Sequence, residues 1–274
     1  MLVNNVITWQ LQGNFAKFEA VIVRGGETGL ASLLMRLFWV SLVSLVSLFG
    51  SAACAAPLEV VATVDRVVPE EARFYLADAE LVRNGTQTPL PTMKSATVSA
   101  GDLKVGYEGK RVRGQLEKTA DGYRLDFIWP ANEREETKTL FVTQQLRSEQ
   151  NTKGGKIYLA NGDFLPEFAL YDQFGELRGP DDFKGKPVVL NFIFTRCQMA
   201  TMCPASTARM VRLQRDLASA GNTDTQLVTI SFDPEYDTPG VLHEYGLTRG
   251  MDFSNFSLLT GQPEQVERLM RAFG

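Results

Sequence analysis

The stretch Val188-Val-Leu-Asn-Phe-Ile-Phe-Thr-Arg-Cys-Gln-Met-Ala-Thr-Met-Cys-Pro204 decides how the chain is read. Its apolar run, Val188 to Phe194 with only Asn191 interrupting, is too short for a helix. It is rich in β-branched and aromatic residues, and so predicts a fully buried strand of the parallel type. Cys197 and Cys203 then fall in the loop between that strand and a helix whose first turn is marked by Pro204. A thiol at a helix start meets unpaired N–H groups and partial positive charge, which favour the thiolate, and Arg196 is expected to add to this. Two sulfurs so placed either form a reversible disulfide or hold a soft metal ion.

Outward from this stretch the pattern alternates. Downstream, Ala205 to Ala218 carries Met210, Val211, Leu213 and Leu217 at helical spacing. Gln226 to Phe232 reads as a second buried strand, Thr238-Pro239 opens a helix, Phe256 to Leu259 reads as a strand and Pro263 to Phe273 as a helix. Upstream, Phe168 to Arg178 reads as a hairpin. Strands alternating with helices predict an α/β layer with a parallel core, and the cysteine loop falls at the carboxyl end of its strand, where such sheets place their sites.

Residues 57–150 have a different texture. Leu58 to Val68 and Phe74 to Val82 read as strands punctuated by Pro69 and Asn84-Gly85, and Thr119-Ala-Asp-Gly122 joins two strands of a hairpin spanning Lys110 to Pro130. Asn132 to Gln150 reads as a helix with Leu140, Phe141 and Leu146 on its apolar face, closing a small β-rich domain. Trp129 and Tyr107 are read as packing residues, and Lys110, Arg111 and Arg113 as a solvated strand face. The polar, Gly-containing residues 151–163 read as a linker to the α/β domain at 164–274.

The 274 residues are 44% hydrophobic with a net charge of −4, enough chain for two domains and without the basic stripe that nucleic-acid binding requires. Three cysteines and one histidine exclude a Cys/His zinc centre built without carboxylates. Residues 1–34 have no period and read as an over-long N-terminus. Within 35–56, Arg36 is followed by the uncharged stretch Leu37 to Phe49 and then by small residues, the pattern of a secretory signal peptide or, if retained, a membrane anchor. Ser51-Ala-Ala-Cys54 loosely resembles a lipoprotein cleavage box. Either way the mature chain is expected to be exported, in the periplasm or cell envelope, where a dithiol is stored as a disulfide unless it is reduced or metal-bound.

Residues 164–274 resemble the SCO/SenC family, thioredoxin-like copper-handling proteins of cytochrome c oxidase assembly. The resemblance lies in Phe164-Leu-Pro-Glu-Phe-Ala-Leu-Tyr-Asp-Gln-Phe-Gly, Gly185-Lys-Pro-Val-Val-Leu-Asn-Phe-Ile-Phe-Thr-Arg-Cys, Met202-Cys-Pro, Ser231-Phe-Asp-Pro-Glu-Tyr-Asp-Thr-Pro239 and Leu258-Leu-Thr-Gly261. It implies copper on Cys197 and Cys203, a cytochrome c oxidase subunit or other copper acceptor as partner, and a thiol reductant. The family spaces its cysteines by three residues, whereas five intervene here, and its distal histidine ligand has no counterpart before Gly274. The expectation is therefore a thioredoxin-like domain incomplete at its C-terminus, a fragment or the product of a truncated gene, preceded by a small β-rich domain.

Met199 and Met202 are soft donors inside the loop and candidates to complete a Cu(I) shell. His243 is expected to be an ordinary surface residue, and Asp233 and Asp237 to orient the loop and cap a helix. The competing functions are a thiol-disulfide oxidoreductase and a secreted binding domain with a structural disulfide. A bridge closing a loop of about seven residues stabilises by only on the order of 2 kcal/mol, which suits a reversible bond better than a staple.

Overall fold

The computed structural model describes residues 58–153, 159–160 and 162–273. The expected N-terminal extension (1–34), the signal peptide or anchor (35–56) and much of the expected linker lie outside them. Among the described residues no helix is long and apolar enough to cross a membrane.

Strands β1 (Leu58–Val68), β2 (Arg73–Arg83), β3 (Thr86–Pro89), β4 (Ser95–Thr97), β5 (Arg111–Thr119) and β6 (Gly122–Pro130) form one sheet. It closes on itself, because β1 pairs antiparallel with both β2 and β5, β5 with β6, β6 in parallel with β4, and β4 with β2. The ring β1-β2-β4-β6-β5 has the connectivity of an OB-type barrel, with β3 attached to β2 as a hairpin. Register shifts at Val61/Thr63 and Val64/Arg66 bend β1 so that it can serve two neighbours. Phe74, Met93, Tyr107, Leu125 and Ile128 fill the interior. Tyr107 is thus a core residue, its hydroxyl donating to the Ile128 carbonyl at 3.2 Å. At the β2–β3 turn both Asn84 and Gly85 take positive φ (50° and 76°), as a two-residue hairpin of matching twist requires. At the β5–β6 turn only Gly122 does, with φ 128°.

Helix α1 (Glu133–Lys153) begins at Asn132, whose Oδ1 accepts from the N–H groups of Arg134 (3.0 Å) and Glu135 (3.4 Å). Its buried face is Thr139, Val142, Thr143 and Leu146, whereas Leu140 and Phe141 are 51% and 65% exposed, against expectation. The reason is its partner: α1 lies along the last helix, α4 (Pro263–Phe273), and so does not close the barrel. Gln265 of α4 donates to Thr143 Oγ1 at 2.9 Å and accepts the Ala169 N–H at 2.7 Å. Gln150 donates to the Arg268 carbonyl at 2.8 Å. This interface is largely polar, so the hydrophobic pattern of the helix did not reveal its buried face.

The remaining elements are β7 (Leu170–Tyr171) and β8 (Leu177–Arg178), which form the hairpin, then β9 (Val188–Ile193), α2 (Cys203–Ser219), β10 (Gln226–Ser231), α3 (Pro239–Thr248), β11 (Phe256–Leu259) and α4. β9, β10 and β11 are parallel in the order β11-β10-β9. The fold is α/β, a thioredoxin-like domain preceded by the β-rich domain. The expectation that β9 is fully buried is corrected: β10 is central, and β9 is the outer strand of the three, with Val188 36% exposed. On β10, Leu227 faces one core with Met210, Leu242 and Phe256, while Val228 and Ile230 face the other with Phe168, Leu259 and Leu269.

Barrel and α/β layer are joined by polar contacts. Each cation expected on a solvated strand face is paired: Lys110 reaches Glu176 of the α/β layer (2.5 Å) and Arg113 reaches Glu136 of α1 (3.2 Å), whereas Arg111 pairs within the barrel with Glu80 (2.5 Å). The turn holding Gly101 and Asp102 presses on α3 so closely that a Cβ at Gly101 would lie 2.1 Å from the Gly240 carbonyl oxygen, and one at Gly240 2.1 Å from Asp102 Oδ1. Asp102 is buried there. Its Oδ2 accepts from Ser99 Oγ at 2.7 Å and its Oδ1 has no partner.

Burial pushes the Asp102 carboxyl up to about 6, against the Ser99 hydrogen bonds, which lower it. The folded state therefore binds this proton more tightly than the unfolded chain, and the associated stability is complete below about pH 4 and is lost as pH rises through 6. Urea unfolding across pH 4 to 6 is expected to show a decline with this origin of up to ~3 kcal/mol, and Asp102→Asn should flatten it. An unchanged slope in the variant would contradict the assignment.

Candidate dithiol site

The site begins where β9 ends. Asp237, fully buried, accepts the Thr195 N–H at 3.0 Å and the hydroxyls of Thr195 and Ser231. Burial raises its carboxyl pKa despite these three donors. The same carboxylate thus ties the end of β9 to the end of β10. Arg196 is held next, its guanidinium 2.9 Å and 2.5 Å from Asp233 Oδ2 through Nε and Nη2, and stacked 4.3 Å from the centre of the Tyr236 ring. Asp233 and Asp237 therefore orient the loop as expected, but neither caps α3. That role falls to Thr238, whose hydroxyl accepts the Val241 N–H.

Cys197 follows, half-buried, its N–H donating to the Phe194 carbonyl at 3.3 Å. Cys203 is the first residue of α2 and is buried, at 6% exposure. Both are free thiols. Burial pushes the Cys197 thiol up, but the backbone N–H groups of Cys203 and Met199, with the Cys203 thiol, outweigh it and the net shift is downward. No side chain caps the start of α2, which leaves its first N–H groups to act on the sulfur. Burial and the neighbouring Cys197 drive the Cys203 thiol up. The lowering expected from Arg196 is absent from these influences, because its charge is committed to Asp233 and Tyr236.

Met199 and Met202 stand 60% and 52% exposed within the loop, outside any core. Two thiols with two methionines between them in the sequence supply soft donors of low number, suited to Cu(I) and short of the four ligands of a zinc site. Among the described residues no group of three or more His, Cys, Asp or Glu could hold a metal ion. His243 is not a surface residue: it is 5% exposed, its Nδ1 3.1 Å from the Gln173 carbonyl and its ring edge-on to Phe174 and Phe253. Burial holds its pKa down.

A scan against protein-family models matches residues 158–274 to SCO1/SenC. This segment belongs to the SCO1/SenC family. The SCO1 protein homolog of Bacillus subtilis is 35% identical over 108 residues, covering 39% of this chain and 54% of its own. The "Putative copper-binding protein" of Stutzerimonas stutzeri is 34% identical over 110 residues, covering 40% and 52%. A SCO1/SenC family lipoprotein of Bacillus anthracis, known by crystal structure, is 36% identical with a TM-score of 0.37, covering 39% of this chain and 62% of that one. The chain spans about half the length of the curated relatives named here.

The polar frame of this SCO1/SenC site was only partly legible. Thr195, Ser231 and Tyr236 were missed, although Ser231 and Tyr236 sit in the Ser-Phe-Asp-Pro-Glu-Tyr-Asp stretch and Thr195 lies two residues before Cys197. The available signal was a run of polar residues directly after two apolar strands. In the reduced chain at neutral pH, iodoacetamide is expected to modify Cys197 about tenfold or more faster than Cys203, read by peptide mass spectrometry. Equal rates would contradict the unequal thiols. Asp237→Ala leaves three donors without their acceptor and is expected to lower stability by about 2–4 kcal/mol in urea unfolding.

Proposed function

We propose that the chain is an exported copper chaperone that holds Cu(I) between Cys197 and Cys203 and delivers it to a cytochrome c oxidase subunit or another copper acceptor. The observation that carries this reading is a loop with two free, unequal thiols and two exposed thioethers, on a frame that fixes both of its ends. Membership of the SCO1/SenC family and the copper-binding name of the Stutzerimonas relative support it. The signal-like stretch at 35–56 supports export. Binding of one Cu(I) by both sulfurs releases two protons, one from each thiol, so affinity rises with pH. Cys203, with its raised pKa, is the sulfur that reprotonates first when an acceptor's thiolate replaces it on the metal. Transfer is then an exchange of ligands with no change in oxidation state.

The unequal thiols also favour a second reading, a thiol-disulfide oxidoreductase. The Cys197 thiolate attacks a partner disulfide and forms a mixed disulfide, and Cys203 then displaces the partner thiolate. Two electrons pass to the partner, the chain is left as its own disulfide, and a thiol reductant restores it.

Competition with a chromophoric Cu(I) chelator separates the two. The reduced chain is expected to bind one Cu(I), with binding abolished in Cys197→Ser and in Cys203→Ser, and weakened about tenfold in a Met199→Leu/Met202→Leu double variant. Failure to compete, together with reduction of a model disulfide, would replace the chaperone with the oxidoreductase.

A further inference from the structure

The barrel and the α/β layer enclose a cleft of about 500 Å³ that the dithiol chemistry does not use. Its barrel wall is a cross-strand row in which Glu59 pairs with Gln115 and Arg113 with Trp129. Opposite stand α1, Tyr171, and the loops after β10 and β11. Trp129 meets Tyr171 edge to face, with ring centres 6.3 Å apart.

Several features mark the cleft as a binding site. Thr139 and Tyr171 line it at 3% and 5% exposure; the Tyr171 hydroxyl lies within reach of the Glu135 carboxylate, whereas Thr139 Oγ1 has no hydrogen-bond partner among the described residues. Orphaned buried hydroxyls cost stability unless a ligand satisfies them. Phe127, on the same wall, adopts φ 52°, a strained conformation for an aromatic residue. It does so at a bulge where β6 supplies an extra residue opposite Gly114, and a Cβ at Gly114 would lie 2.9 Å from the Asp126 carbonyl oxygen. The bulge sends Ile128 into the core and leaves Phe127 37% exposed, edge-on to Tyr236. At the rim, Arg113 and Glu136 neutralise each other, whereas Glu59 and Glu235 are exposed and make no ion pair among the described residues.

An aromatic wall, two spare carboxylates and the unpartnered Thr139 hydroxyl together suit a planar cation that can stack and donate several hydrogen bonds. A guanidinium has that chemistry and an ammonium only part of it. The protein already uses this arrangement for its own Arg196, stacked on Tyr236 and paired with Asp233. We propose that the cleft is a docking site for an arginine-bearing segment of a partner polypeptide. Its position gives that docking a consequence. Pro234 and Glu235 line the cleft and lie between Asp233, which holds Arg196, and Asp237, which holds Thr195. A segment seated there bears on the loop that anchors the start of the dithiol site. That this partner is the copper acceptor or the disulfide substrate rests on the proposed function; the cleft itself does not.

The test is calorimetric titration of the full chain, reduced and metal-free, with a glycine- and serine-flanked arginine peptide, its citrulline twin and free arginine. The arginine peptide is expected to bind saturably, and the citrulline peptide, which keeps the shape and loses the charge, about tenfold more weakly. Glu59→Gln, Glu235→Gln and Trp129→Leu should each weaken the arginine peptide while leaving Cu(I) stoichiometry unchanged. No saturable binding, equal affinity for the citrulline peptide, or indifference to both carboxylate variants would overturn the site. Free arginine binding as tightly as the peptide would overturn the assignment to a polypeptide. A chain that binds the arginine peptide but no Cu(I) would defeat the copper reading and leave this site standing.

Discussion

A carboxylate removed from water must be surrounded by donors, and the dithiol site is arranged around one that is. Asp237 takes the Thr195 N–H and two hydroxyls, from Thr195 and Ser231, which joins the carboxyl ends of two adjacent parallel strands through one buried group. Loss of any of these donors would leave charge uncompensated in a site with no access to water, so the geometry is tightly constrained. The other end of the cysteine loop is fixed by an unrelated force, the backbone of α2 beginning at Cys203. Between two fixed ends only five residues remain, and two of them are exposed methionines.

That arrangement makes the two sulfurs different from each other. Cys197 is half-exposed and receives N–H groups that lower its pKa, whereas Cys203 is buried and raised. A metal-transfer site and a disulfide-exchange site both need this asymmetry, since one sulfur must engage a partner while the other holds or resolves. The donor set distinguishes the two readings better than the acidity does. Thioethers serve no purpose in disulfide exchange, and two exposed methionines between Cys197 and Cys203 suit the soft metal of the proposed function.

The barrel is bound to this machinery by polar contacts. Ion pairs from Lys110 and Arg113, the buried Asp102 against α3, and Gln265 between α1 and the α/β layer all depend on geometry more than on apolar area. Contacts of that kind are weak one by one but specific in register. They leave an aromatic and acidic cleft between the parts, next to the segment that holds Asp233 and Asp237.

The sequence by itself determined most of the elements and the place of the two cysteines between a strand and a helix. Runs such as Val188 to Phe194 and Gln226 to Phe232, the turn at Asn84-Gly85 and the cysteines before Pro204 carry local signals, because periodicity, turn geometry and helix starts are set by near neighbours along the chain. Tertiary structure alone decided that β9 is an outer strand and β10 central, that Leu140 and Phe141 face outward while Thr139 and Thr143 are buried, and that His243 belongs to a core. It also decided that Arg196 serves Asp233 and Tyr236, and not the Cys197 thiol. These are matters of which distant surface each residue meets. Burial and charge pairing depend on partners as far along the chain as Thr143 and Gln265, and no local pattern encodes a partner 122 residues away.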